Sequence, residues 1–187
     1  MDEDIKKACE VLNKGGVILY PTDTIWGIGC DATNAEAVKR VYEIKERADN
    51  KAMLVLLDSD ANLSRYVADP PEIAYTLIEV SDKPLTIIYD NAYNLAKNLI
   101  GEDKSIGIRI TSEDFSRQLC RRFRRPIVST SANISGAASP SNFAEISEKI
   151  KSKVDYIVEH RQNEKGGAKA SSIIKLGADG TIKIIRD

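Results

Sequence analysis

The most constraining feature of this chain is a rhythm of short β-branched and aromatic runs separated by segments of helical period. Val17–Tyr20, Met53–Leu57, Leu85–Tyr89, Ile106–Ile110, Ile127–Ser129, Tyr156–Val158 and Ser172–Leu176 each have the length and composition of a strand. Between them, Ile5, Ala8, Cys9 and Leu12 repeat at i, i+3, i+4 and i+7, with Gly15-Gly16 as a helix stop. Ala37, Val38, Val41, Tyr42 and Ile44 mark a second amphipathic helix ending near Lys45, and further helices are expected around 72–80, 92–99, 113–123 and 142–150. Gly177-Ala178-Asp179-Gly180 between Ile173–Leu176 and Ile182–Ile185 predicts a closing hairpin. The alternation implies an α/β sheet with flanking helices.

At 187 residues, with 42% hydrophobic and 29% charged, the chain fits one domain over 1–187 with an ordinary core. Cys9, Cys30 and Cys120 are odd in number and lack metal-ligand spacing, which predicts reduced thiols and a cytoplasmic protein. The N-terminus begins acidic without a signal-peptide pattern, and no apolar run reaches membrane length. With 27 basic against 28 acidic residues, bulk counterion-driven nucleic-acid binding is not advertised, so any basic site must be local.

Polar and cationic groups recur where the predicted strands end: Thr22 and Thr24 after Pro21, Lys45 with Arg47 and Lys51, Arg109, Ser129-Thr130-Ser131 with Asn133, and Ser171-Ser172. In open α/β sheets ligands bind beyond strand ends, so these groups are the candidate site. Each alone has a plainer explanation as a cap, turn or solvated helix end. A P-loop is excluded by the absence of G-x-x-x-x-G-K-[ST], and a hydrolase built on His160, the single histidine, lacks a G-x-S-x-G elbow.

The strings GGVILYPTDTIWGIGCDA, KERADNKAM, SIGIR and STSANISG, with a final SSI…IIR, together resemble the YrdC-like threonylcarbamoyl-AMP synthase family, in its short single-domain form. The resemblance implies a twisted mixed sheet around a concave basic cavity. It also implies a reaction in which L-threonine and bicarbonate form a carbamate that attacks the α-phosphate of ATP, releasing pyrophosphate. Thr24, Arg109, Ser129 and Ser171 match threonine-side positions, with Ser172 as the neighbouring alternative to Ser171. Arg47, Lys51, Ser105, Ser131, Asn133, Ser139 and Arg186 match ATP-side positions. Lys45 and Arg47 complete a K-x-R pair assigned to catalysis, expected to converge where the chain leaves its helix. Mg²⁺ would arrive with ATP, without a protein-ligated metal, and Asp23 and Asp31 are read as structural. Partners implied are a tRNA-modifying threonylcarbamoyl transferase downstream and no membrane.

The chain departs from the family pattern at Lys83, within Ser81–Thr86 where W-P-G-P-L-T is usual, and at Ala48, Trp26 and Leu56. The competing reading is an RNA-binding or ribosome-associated module using the same surface, with Arg121, Arg122, Arg124 and Arg125 as an RNA contact. The neutral net charge and 6% aromatic content weigh against it. A carbamoyl-transfer domain is a third reading, but such proteins carry further regions beyond a chain of this length.

Overall fold

A computed structural model of the chain describes residues 1–47, 53–166 and 169–187. Helix α1 (Asp2–Asn13) leads into strand β1 (Ile18–Tyr20), which reaches the Pro21–Ile25 loop and returns as β2 (Gly27–Gly29). Helix α2 (Ala35–Lys45) is started by Asn34, whose side chain accepts from the amides of Glu36 and Ala37, and is stopped by Glu46 in the left-handed region at φ 51°. Then follow β3 (Leu54–Leu57), a 3₁₀ turn at Asp60–Arg65, α3 (Ile73–Glu79), β4 (Leu85–Tyr89) and β5 (Ile106–Ile110). Helix α4 (Asp114–Phe123), β6 (Ile127–Ser131), the short α5 (Glu148–Lys151), β7 (Tyr156–Ile157) and the hairpin β8 (Ser172–Leu176)–β9 (Ile182–Arg186) complete the order.

The strands form one mixed sheet in the order β7-β1-β2-β6-β3-β5-β4-β8-β9. Parallel pairs (β1–β7, β3–β5, β4–β8) are interleaved with antiparallel ones, as the α/β expectation for a mixed sheet requires. Helix α4 is capped by the Glu113 carboxylate, which accepts from Phe115 N and Ser116 N. Its buried Phe115, Leu119, Cys120 and Phe123 form one face, and α1, with Ile5, Ala8, Cys9 and Leu12 buried, packs against it. Burying a side chain such as Leu119 contributes about 1.5–3 kcal/mol, so Leu119→Ala would loosen this layer most directly.

Two expectations need correction. No helix spans 92–99: Tyr93 N donates to Tyr66 O and Ala96 N to Ala32 O, so distant carbonyls take the backbone bonds that a helix would have kept. The 142–150 helix is divided into a 3₁₀ turn at Phe143–Glu145 and α5, because Ile146 is extended at ψ 125°. One strand, β2, had no signal in the sequence. Its glycines are demanded by packing: a Cβ on Gly29 would stand 2.6 Å from Tyr20 Cε1 and 2.7 Å from Val128 O. The described residues contain no helix long and apolar enough to cross a membrane.

Candidate active site

Residues opposite one another in a sheet share a face. Ser129, Leu54 and Gly107 are opposite in β6, β3 and β5, and one step along lie Leu56, Arg109, Thr86, Ile173 and Arg186. Arg186 joins this row only through a one-residue bulge: Ile173 pairs with Arg186 while Ile174 pairs with Ile184. Without the extra residue, Ile185, the arginine would project from the opposite face. Gly107 and Gly27 add no side chains to the floor, and a Cβ on Gly27 would already meet Ser129 Oγ at 3.3 Å.

Above this face is a cleft of about 220 Å³, lined by Arg47, Arg109 and Arg186, the hydroxyl residues Thr24, Ser129, Thr130, Ser131, Ser139 and Ser171, and apolar Trp26, Met53, Leu54 and Ile173. Among the described residues no Asp or Glu lines it. The site thus spreads across the sheet face rather than beyond the strand ends. Three guanidinium groups converge on the cleft, and burial holds Arg47 and Arg109 below the ordinary arginine range.

Arg109 forms the floor. It is 3% exposed, and its Nη2 lies 3.0 Å from Asp23 Oδ1 and donates to Thr24 Oγ1 at 3.3 Å. Thr22 Oγ1 donates to Ile25 O at 2.8 Å and stands 3.0 Å from Thr24 Oγ1, so the Thr24 hydroxyl accepts from Arg109 and passes its own proton to Thr22. The Asp23–Arg109 contact is an ion pair without an aligned hydrogen bond, and Arg109 Nε has no acceptor among the described residues. Burial pushes the Asp23 carboxyl up against the pull of Arg109. Arg161 pins the loop from outside, donating to Thr22 O at 3.0 Å and pairing with Glu113 at 3.2 Å. Asp23, a structural carboxylate by its sequence context, is here the ion-pair partner of Arg109. The charge and glycines of Arg161–Lys169 mark that stretch in the sequence as one that could cover a ligand, but not the bond of Arg161 to Thr22, which joins residues 139 apart.

On the C-terminal wall, Ser171 Oγ is 2.8 Å from Thr86 Oγ1, and both Nε and Nη2 of Arg186 donate to Ser171 O, at 2.9 and 2.7 Å. Ser171, rather than Ser172, lines the cleft. Trp26 packs on Phe143 with centroids 4.9 Å apart.

Three of the anticipated site residues do not line the cleft. Lys45 is 1% exposed; its ammonium donates to Ser131 O, Asn133 O and Asn133 Oδ1 at 2.5, 2.7 and 3.4 Å. It therefore does not converge with Arg47, which follows the left-handed Glu46 into the cleft wall. Asn133 serves the same internal network, its amide donating to Ile134 O and Ala137 O. Ser105 bonds Asp103 and lies four residues before Arg109 at the far end of β5, outside the cleft lining. Lys51 and Ala48 lie outside the described residues. Leu56 is fully buried, and Lys83 belongs to a separate cavity of about 170 Å³ shared with Asp23. Asp31 pairs with Arg125 at 2.8 Å and accepts from Thr33, a structural use.

A larger open trough of about 800 Å³ beside α1 and α4 is lined by Asp2, Asp58 and Asp114 together with Arg117, Arg121 and Arg122. Its mixed charge gives a phosphate backbone no continuous partner, so the basic run of α4 does not favour the RNA reading.

The Sua5/YciO/YrdC family model, described as telomere recombination, matches residues 10–187. A threonylcarbamoyl-AMP synthase of Pseudoalteromonas translucida is 33% identical over 181 residues, covering 95% of each chain. YciO of E. coli superposes with a TM-score of 0.86 at 26% identity, covering all of this chain and 90% of that one. Sua5 of P. abyssi, solved in complex with L-threonine, gives a TM-score of 0.82 at 26% identity over 92% of this chain, which spans half of that longer protein. Sequence and fold agree over nearly the full length, and the chain belongs to the Sua5/YciO/YrdC family.

Proposed function

We propose that this protein is an L-threonylcarbamoyladenylate synthase: it joins L-threonine and bicarbonate to the adenylyl group of ATP and releases pyrophosphate. The observation that carries the reading is Arg109, buried in the cleft floor with an Nε that has no acceptor among the described residues. An orphaned buried donor costs about 1–3 kcal/mol, which an incoming carboxylate recovers as a charge-assisted bond. A related Sua5 that binds L-threonine supports an amino-acid carboxylate as that ligand. Thr24, Ser129 and Ser171 supply hydroxyls around it, and Met53, Leu54 and Ile173 an apolar niche for the threonine methyl. Such a niche rewards one methyl by about 1–3 kcal/mol, so discrimination against serine should be modest.

Elsewhere in the lining, Arg47, Ser131 and Ser139 suit a polyphosphate, Arg186 adds a positive charge from beside Ser171, and the same lining suits no cation. The magnesium ion therefore arrives as part of the ATP complex, carried by the phosphates. The threonine nitrogen joins the bicarbonate carbon with loss of water, and a carbamate oxygen then displaces pyrophosphate from the α-phosphorus. No residue is acylated. The protein positions two anions side by side and offsets their repulsion with arginines held in a poorly solvated cleft. The product would serve a transferase that modifies tRNA, in the cytoplasm.

Pyrophosphate release is the test, with threonine and bicarbonate each omitted in turn and the nucleotide product identified by mass. Release that needs both, with threonylcarbamoyl-AMP detected, is expected. Turnover that ignores threonine, or none in the folded protein, would overturn the reading.

A further inference from the structure

Lys45 ends α2 with its side chain turned away from the cleft, and each of its N–H donors has an acceptor on the chain between Ser131 and Asn133. Its own carbonyl accepts from Ser135 N at 2.8 Å. The end of α2 is therefore fastened to the 131–135 turn twice, once by main chain and once by the ammonium. Asn133 extends the network by donating to Ile134 O and Ala137 O. Among the described residues no carboxylate forms an ion pair with Lys45, so carbonyl dipoles alone compensate its charge. Ser131 faces both ways: its carbonyl holds Lys45, while the residue lines the cleft beside Ser139.

We propose that Lys45 is a positioning residue for the nucleotide side of the cleft, fixing the 131–137 turn so that Ser131 and Ser139 present to phosphate, and that it touches no substrate atom. The function assigned to the turn rests on the synthase reading above; the fastening itself does not. A lysine in a K-x-R pair at a nucleotide site would ordinarily be given to phosphate. Here the helix stop at Glu46 divides the pair, sending Arg47 to the cleft and leaving Lys45 beneath it.

The test uses Lys45→Met, Asn133→Ala and the double variant of the whole chain, with folding checked by circular dichroism. In ligand-free protein, amide hydrogen exchange at Ser135–Ala137 should quicken about tenfold or more in Lys45→Met, because the turn opens more readily. The KM for ATP should rise about tenfold while kcat changes less than threefold and threonine affinity stays within about twofold. The double variant should resemble Lys45→Met alone, since both changes cut one network. Unchanged exchange would overturn the proposal. So would an ATP defect that adds in full to that of Asn133→Ala and shrinks from ATP to ADP to AMP, the mark of a direct phosphate contact. If Lys45→Met does not fold, Asn133→Ala carries the test, and unaltered exchange and ATP affinity there overturn it equally. Exchange is read without substrate, so a wild-type protein that failed to make threonylcarbamoyl-AMP would sink the synthase reading while exchange still decided the fastening.

Discussion

Arg109 in the cleft floor and Lys45 under the loop are both cations taken almost wholly out of water, 3% and 1% exposed, yet the fold completes them in opposite ways. Lys45 has all its donors filled by the turn it supports and no acidic partner among the described residues. Arg109 has an acidic partner, Asp23, and a donor left over. A buried charge completed by the protein is part of the framework; one left incomplete is available to a ligand. The contrast separates scaffold from site more sharply than residue type, since both positions belong to motifs that speak for anion binding.

The largest test is of the acidic partnership. Removing one member of a buried ion pair strands the other, so Arg109→Ala and Asp23→Asn should each cost about 3–5 kcal/mol in urea unfolding. The double variant should cost clearly less than their sum, with a coupling of about 2 kcal/mol. Lys45 has no carboxylate partner among the described residues, so no neutralising change there could rescue it. A strictly additive Arg109–Asp23 cycle would erase the distinction.

The next test moves from stability to ligands. Truncating a buried, charge-assisted contact typically costs 2–5 kcal/mol, so Arg109→Ala, in the Asp23→Asn background if that restores folding, should weaken threonine binding about a hundredfold or more. Arg47 also lines the cleft, and Arg47→Ala should raise the KM for ATP about thirtyfold, the loss of one charged hydrogen bond of about 2 kcal/mol, while leaving threonine affinity nearly intact. Calorimetry with threonine alone and steady-state kinetics with ATP separate the two. Equal losses for both ligands from both variants would mean that the cleft does not divide as described.

The sequence made the strands with β-branched runs, the hairpin and the helices α1, α2, α3 and α4 legible, because each carries its period locally. It was silent where structure depends on distant partners. Strand β2 exists because Gly27 and Gly29 fit against Ser129, Tyr20 and Val128, and glycine has no pattern to read. The helix expected at 92–99 lost to carbonyls of Tyr66 and Ala32, although its local composition was adequate. In the site, Thr24, Arg109, Ser129 and Ser171 were legible through short strings. The inward turn of Lys45 was not, since it depends on a left-handed residue at 46 and on acceptors 86 and 88 positions away. Nor was the bulge that brings Arg186 round to the cleft face, which is visible only in the register of β8 against β9.

The smallest effect concerns the titration of Lys45. Burial and the neighbouring Arg47 pull its ammonium down to about 8 from the ordinary 10.5. Below about 8 both folded and unfolded chains carry the proton, and the folded state bears a constant desolvation handicap. Between about 8 and 10.5 the folded lysine has released its proton while the unfolded one keeps it, so the unfolded state binds more protons and unfolding free energy rises with pH. Lys45→Met has no such group, and the other titrating residues are common to both proteins, so the stability of wild type relative to Lys45→Met should climb across that window. At about 1.4 kcal/mol per pKa unit the gain has a ceiling near 3 kcal/mol, and about 1–2 is expected because three acceptors favour the charged form. Urea unfolding of both proteins at pH 7.5 and pH 10 measures it. Parallel behaviour would mean that the carbonyls of the 131–133 turn hold the ammonium as well as water does. Its burial would then carry no electrostatic cost, and of these two cations only Arg109 would be strained.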